Sequence, residues 1–180
     1  MLGLINRLKS DEALMLAYQR GDTSAFECLY YRHKDGLFAF LYRSCPRQAV
    51  VEELAQEAWM AVVKAAERYQ PRASFKTWLY QIARNRLVDF WRGRDNAHSS
   101  LEAAPEPAVD SNSNSRQDVQ QQLLAAITAL PAEQRDALLL QEQGFSLREI
   151  AEITGDGHET VKSRLRYART QLRRQLGGEQ

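Results

Sequence analysis

Lys162, Arg164, Arg166, Arg169, Arg173 and Arg174 all fall between Thr160 and Leu176, a stretch without a single acid. Cationic groups repeated along a helix neutralise phosphates, and those that reach a groove floor donate to guanine edges. Val161, Leu165, Ala168, Leu172 and Leu176 recur at helical spacing in the same stretch and form an inward stripe. Lys162, Arg166, Arg169 and Arg173 follow one another along a different face. The residues just before them say how such a rod would be held. Ser146 and Glu149 are spaced as a capping box that opens a helix. Ala151, Gly155 and Val161 then fall at the spacing of a tight bihelical corner. The small Ala lets two helices approach, Gly155 ends the first of them, and Val161 plugs the angle. Residues 145–176 therefore read as a helix-turn-helix whose second helix fits a major groove. A solvated charged face is the plainer reading of any charge run. Here corner and one-sign charge occur together, and DNA binding is the stronger reading.

A second chemistry lies in Phe75–Arg92. Phe75, Trp78, Leu79, Ile82, Ala83, Leu87 and Phe90 form one face and are expected in the core. Lys76, Thr77, Tyr80, Arg84, Asn85 and Arg92 fall mainly on the other. Rings interleaved with bases suit unpaired nucleotides: rings stack bases, guanidinium groups take phosphates, and a carboxamide reads a base edge. From pattern alone, a merely solvated face fits Tyr80, Arg84 and Asn85 equally well. In Glu52–Lys64, Leu54, Ala55, Ala58, Trp59, Val62 and Val63 point inward, while Glu52, Glu53, Gln56 and Glu57 line an outward acidic strip. Acids near a helix start face its dipole favourably, which would explain them structurally. The sharper alternative is a docking strip for a basic protein surface.

Composition limits the other possibilities. The chain has 180 residues, 44% hydrophobic and 26% charged, with a formal net charge of +1. That total hides segregation: residues 64–94 carry eight bases and two acids, and residues 95–118 carry five acids and one base. No apolar run is long enough to span a bilayer, and the start lacks the features of a signal peptide, so a cytoplasmic location is expected. Cys28 and Cys45 have no metal spacing, and His33, His98 and His158 are scattered. No paired carboxylate, phosphate loop or triad spacing stands out, so neither an enzyme nor a cofactor is expected.

Periodicity is helical throughout. Helices are expected at residues 11–20, 23–43, from about Arg47 to Tyr69, and from about Ser74 to Arg92, with breaks at Gly21, Pro46 and Pro71. A tract rich in Ser, Pro, Asn and Ala follows and cannot repay the entropy of ordering. Beyond it, Val119, Leu123, Ile127 and Leu130 give one helix an apolar stripe, and Ala132–Gln143 gives another after Pro131. The expected fold is all-α: two small helical domains joined by a flexible linker, the C-terminal one a helix-turn-helix.

In that arrangement the chain resembles the extracytoplasmic-function (ECF) sigma factors, the minimal branch of the bacterial sigma-70 family. GDTSAFECLYYRHKDGLFAFLYR resembles their first region, and VVEELAQEAWMAVVKAAERY their core-binding helix. FKTWLYQIARNRLVDFWR resembles the promoter-melting helix, and LPAEQRDALLLQEQGFSLREIAEITG with TVKSRLRYAR the reader of the upstream promoter element. The resemblance implies region 2 at 1–94, an acidic linker at 95–116 and region 4 at 117–180. It implies that Glu53, Leu54, Gln56 and Glu57 dock on the β′ clamp helices of core RNA polymerase, with region 4 toward the β flap. It implies that Lys76, Tyr80, Arg84 and Asn85, with the loop 70–74, capture an unpaired minus-ten base. Thr160, Lys162, Ser163, Arg164, Arg166 and Arg169 would bind the minus-thirty-five duplex. An anti-sigma factor is the implied regulatory partner.

Two departures from the family pattern stand out. Asp156, Gly157, His158 and Glu159 replace a commoner apolar-Pro-Val-Gly run, and Tyr167 stands where Arg is frequent. Asp156 and Glu159 are expected to cap the recognition helix. The competing readings are a stand-alone helix-turn-helix regulator and a helical adaptor without a nucleic-acid role. A ligand or phospho-acceptor domain would favour the regulator, and no βαβ pattern supplies one. The basic terminal helix argues against the adaptor.

Overall fold

Residues 6–97 and 115–177 are described by a computed structural model of the chain, and every regular element among them is helical. Helix α1 (Asp11–Gln19) opens where the Ser10 hydroxyl accepts from the Ala13 amide. Helix α2 (Thr23–Ser44) opens on Asp22, whose carboxylate accepts from the Ser24 and Ala25 amides. Helix α3 spans Gln48–Ala65 and tightens into a 3-10 turn at Ala66–Arg68, short of the single helix to Tyr69 that periodicity suggests. Gln19 accounts for the early stop. Its amide donates to the carbonyls of Ala66, Glu67 and Tyr69, at 2.9, 2.9 and 3.3 Å. Helix α4 (Phe75–Ala97) begins where Glu12 accepts from the Phe75 amide at 2.8 Å. It outruns the expected end at Arg92.

Most of the linker expected at 95–116 lies outside the described residues; 95–97 continue α4, and 115–116 begin the next helix. That helix, α5 (Ser115–Thr128), is followed by α6 (Ala132–Glu142), α7 (Leu147–Thr154) and α8 (His158–Leu176). The apolar stripe expected on α5 is only half buried: Ile127 and Leu130 are inside, whereas Val119 is 63% and Leu123 41% exposed. Only the C-terminal end of α5 enters the core.

The capping box at α7 is complete, with Ser146 accepting from the Glu149 amide and Glu149 from the Ser146 amide. Gly155 closes α7 at φ +75°, a conformation costly for any residue bearing a Cβ. Val161, fully buried, fills the corner. Ser146→Ala should therefore cost about 1 kcal/mol. For a chain of this size, calorimetry should read that as a drop of about 2–4 °C in Tm.

Helices α1–α4 form one body around Leu29, Leu37, Phe40, Val62, Phe75 and Leu79, and α5–α8 another around Leu139, Leu140, Ile150, Val161 and Leu165. The two bodies are packed together. Helix α4 lies on α7, and α2 on α5 and α6, so that one buried apolar cluster runs through both. The basic helix α8 stays at the surface of that assembly and turns only Val161, Leu165 and Ala168 inward.

Candidate nucleic-acid and partner interface

On α8 the inward stripe fades along its length: Val161, Leu165 and Ala168 are buried, Leu172 half-buried and Leu176 exposed. Thr160, Lys162, Arg166 and Arg169 are exposed and Ser163 is half-buried, which leaves a polar face open at the N-terminal end where such helices meet base edges. Arg173 and Arg174 prolong the positive surface. The Arg166 guanidinium rests over the Tyr167 ring, 5.2 Å from its centroid, and Arg169 donates to Gln141 of α6.

Arg164, expected among these contacts, is turned away. Its guanidinium joins Asp156 and Glu133, the latter at 3.0 Å, and its side chain is 18% exposed. This also corrects the expected caps. The N-cap of α8 is Gly157 with no side-chain cap, Asp156 is spent on Arg164, and Glu159 pairs with Lys162 at 2.9 Å. The hydrogen bond and the charge of Lys162 hold the exposed Glu159 carboxyl below its usual range. Arg164→Ala should accordingly lose about 1.5–3 kcal/mol of stability. It should leave the salt dependence of duplex binding unchanged, whereas Arg166→Ala should lower that slope by about 1. Binding isotherms across a salt series read the difference. Sequence reasoning passed over Arg148, an exposed base at the start of α7, the helix that crosses the backbone in this motif. Its only signal is a lone positive charge beside the capping box.

The α4 face is arranged differently from the outward face expected for Lys76, Thr77, Tyr80 and Arg84. Thr77 is buried, and Tyr80 is 1% exposed. The Tyr80 ring lies between Phe40 at 5.4 Å and Phe145 of the second body at 4.9 Å, and its hydroxyl donates to Gln143 at 3.0 Å. Burial pushes that phenol well above its ordinary pKa. Lys76 donates to the Gln143 carbonyl and stands 4.7 Å over the Phe145 ring. Arg84 pairs with Asp136 at 2.9 Å. Of the four minus-ten candidates, Asn85 alone is exposed. The second body supplies a ring to Tyr80, a carbonyl to Lys76 and a carboxylate to Arg84.

On α3, Glu52, Glu53, Gln56 and Glu57 are exposed, and Leu54 is buried beneath them. The first turn of α3 holds no acid, so the helix dipole, which fades within one turn, does not account for the strip. Beside it opens a groove of about 410 Å³ whose walls include Tyr30, Phe38, Trp59 and the half-exposed Met60, with Glu52 and Gln56 at its edge. Aromatic and Met side chains rimmed by charge are the composition of a protein-binding surface. Among the described residues no His, Cys, Asp or Glu cluster could hold a metal ion, and no helix is long and apolar enough to cross a membrane.

The chain thus exposes a basic helix and a separate acidic strip beside an aromatic groove, while the cationic aromatic face of α4 is covered by the second body. Comparison with known proteins gives this set a family. Residues 29–97 match the family model for sigma-70 region 2, and residues 120–172 that for sigma-70 region 4. The chain is similar to the RNA polymerase sigma factor CarQ of Myxococcus xanthus, 30% identical over 91% of this chain and 95% of that one. It is likewise similar to the ECF RNA polymerase sigma factor SigM of Mycobacterium tuberculosis, 30% identical over 94% of this chain and 86% of the relative. Among solved structures, the sigma factor RpoE of Bartonella quintana, in complex with the anti-sigma factor NepR, matches with a TM-score of 0.70. It is 26% identical, over 86% of this chain and 98% of that one. The chain belongs to the sigma-70 family, within its extracytoplasmic-function branch.

Proposed function

We propose that this chain is the promoter-specificity subunit that carries core RNA polymerase to its promoters in the cytoplasm. Three surfaces divide the work. Glu53, Gln56 and Glu57, with the adjoining groove, bind the polymerase clamp, and buried Leu54 shapes that surface from beneath. Lys76, Tyr80, Arg84 and Asn85 take an unpaired minus-ten base, and α8 reads the minus-thirty-five duplex through Thr160, Lys162, Ser163, Arg166 and Arg169. Arg164 holds the corner that presents them. The working division remains 1–94, 95–116 and 117–180. Opening DNA by trapping a flipped base needs no bond-making step, so the chain acts without catalysis of its own. The RpoE likeness supports an anti-sigma factor as the controlling partner.

The observation that carries this reading is the presence, on one chain, of an exposed acidic strip beside an aromatic groove and a separate exposed basic recognition helix. Glu53→Ala with Gln56→Ala should weaken association with core polymerase, read by co-elution and by fluorescence anisotropy. Duplex binding by α8 should be unaffected. Unchanged polymerase association would remove the docking assignment.

A further inference from the structure

Helix α1 precedes the residues that match the region 2 model, yet it holds both ends of the loop 70–74 that leads into α4. At the entry, the 3-10 turn leaves carbonyls without helical donors. The half-buried Gln19 amide donates to those of Ala66, Glu67 and Tyr69. At the exit, the first amides of α4 lack helical acceptors. Glu12 takes that of Phe75 at 2.8 Å, and the Ser74 hydroxyl takes that of Thr77 at 3.1 Å. Glu12 and Gln19 are seven residues apart, close to two turns, so a single face of α1 meets both ends. That helix is itself fixed: Leu14 and Met15 are fully buried, and Asp11 pairs with Arg32 at 2.8 Å and His33 at 2.7 Å on α2. At the entry, Tyr69 is buried against Phe75 and Trp78, with ring centroids 6.5 and 5.1 Å away. Burial, with the charges of Glu12 and Asp11, pushes its phenol up to about 12, so the ring stays neutral. The tip, by contrast, is open: Gln70, Arg72 and Ser74 are exposed, and Arg72 donates to Gln70 at 2.8 Å. Frame and tip together wall a cavity of about 480 Å³ whose sides include Tyr69, Gln70, Arg72 and Trp78.

We propose that Gln19 and Glu12 are positioning residues for base capture: they grip the two ends of the loop 70–74 and so set the shape and aim of its tip. This rests on the capture role that the family resemblance gives that loop together with α4. A loop free at its ends samples many shapes, and a contact made by a wandering tip loses part of its binding free energy to ordering. With entry and exit both fixed to one packed helix, that ordering is completed in folding, before DNA arrives. Neither side chain has to touch the nucleotide. Their loss should fall on the choice of base, and leave polymerase docking through α3 and duplex binding through α8 as they were.

The test uses the full chain with core polymerase, each variant checked for native helix content by circular dichroism and assayed below its melting temperature. Permanganate reactivity of unpaired thymines follows promoter opening on the cognate template and on templates with each minus-ten base replaced in turn. The quantity read is a ratio: opening on the cognate template over opening with the replacement that harms the native chain most. A fold defect lowers both rates together and leaves this ratio alone. A well-placed base contact discriminates by roughly five- to a hundred-and-fiftyfold. Gln19→Met, which keeps the length but has no donor, and Glu12→Ala should each lower the ratio about tenfold through misplacement of the tip. Glu12→Gln can still accept from the Phe75 amide and should retain the native ratio. Gln70→Ala with Arg72→Ala, a change at the tip itself, should lower it. Native ratios in Gln19→Met and Glu12→Ala, beside a lowered one in the tip variant, would overturn the positioning role. A ratio in Glu12→Gln as low as in Glu12→Ala would overturn it for Glu12. A native ratio in the tip variant would instead overturn the capture role of the loop.

Discussion

Replacing Lys162 and Arg166 together by alanine is expected to reduce promoter-specific transcription by at least about thirtyfold. Both side chains are exposed on one face of α8, four residues apart, where a recognition helix meets base edges. A good bidentate contact to guanine contributes about 1–3 kcal/mol of discrimination. Two together contribute about 2–6 kcal/mol, and each 1.4 kcal/mol is a factor of ten. Neighbouring contacts couple, so the double variant is the informative one. Neither side chain supports the fold: the inward residues of α8 are Val161, Leu165 and Ala168. Thermal stability should therefore stay within about 0.5 kcal/mol of the native value. Transcription assayed on the cognate promoter, with Tm as the control, checks both halves. Unchanged transcription would show that α8 does not read the upstream element.

The second large effect is structural in origin. Phe40→Ala should cost about 3–5 kcal/mol, because a fully buried ring is lost and the surrounding helices cannot close the gap. Against a total stability of about 5–15 kcal/mol, that is a large share. In Tm it corresponds to a fall of several degrees to about 20 °C, readable by calorimetry. Phe40 also backs the Tyr80 ring at 5.4 Å, so its loss frees Tyr80 from one of its two flanking rings. Minus-ten melting should consequently fall even at temperatures where the variant is folded. Phe40→Leu, which keeps most of the volume, should recover most of the stability but not the ring contact.

Which features could be read before the structure follows from the range of the forces involved. The α7–α8 corner was legible because its determinants are local. Ser146 and Glu149 cap within one turn, Gly155 needs only its own backbone conformation, and Val161 sits a few residues on. The exposed strip on α3 was legible from its period for the same reason, although its explanation by the helix dipole fails once the helix start is placed at Gln48. The orientation of Arg164 was hidden, because Glu133 lies in another helix and nothing in the basic run marks one arginine as spoken for. The half-exposed stripe of α5 was hidden too, since apolar spacing says which face is available and not how far a neighbour covers it. Least legible was the fate of Tyr80 and Arg84. Their partners Gln143 and Asp136 lie 63 and 52 residues away, and only tertiary packing brings them to α4.

Transcription reconstituted from purified parts tests the central claim most directly. Core RNA polymerase, a linear template carrying the cognate promoter and this chain should together yield a run-off transcript of defined length. Core polymerase alone should yield none from that start, and Glu53→Ala with Gln56→Ala should suppress it. A transcript that is the same with and without the chain would contradict the account.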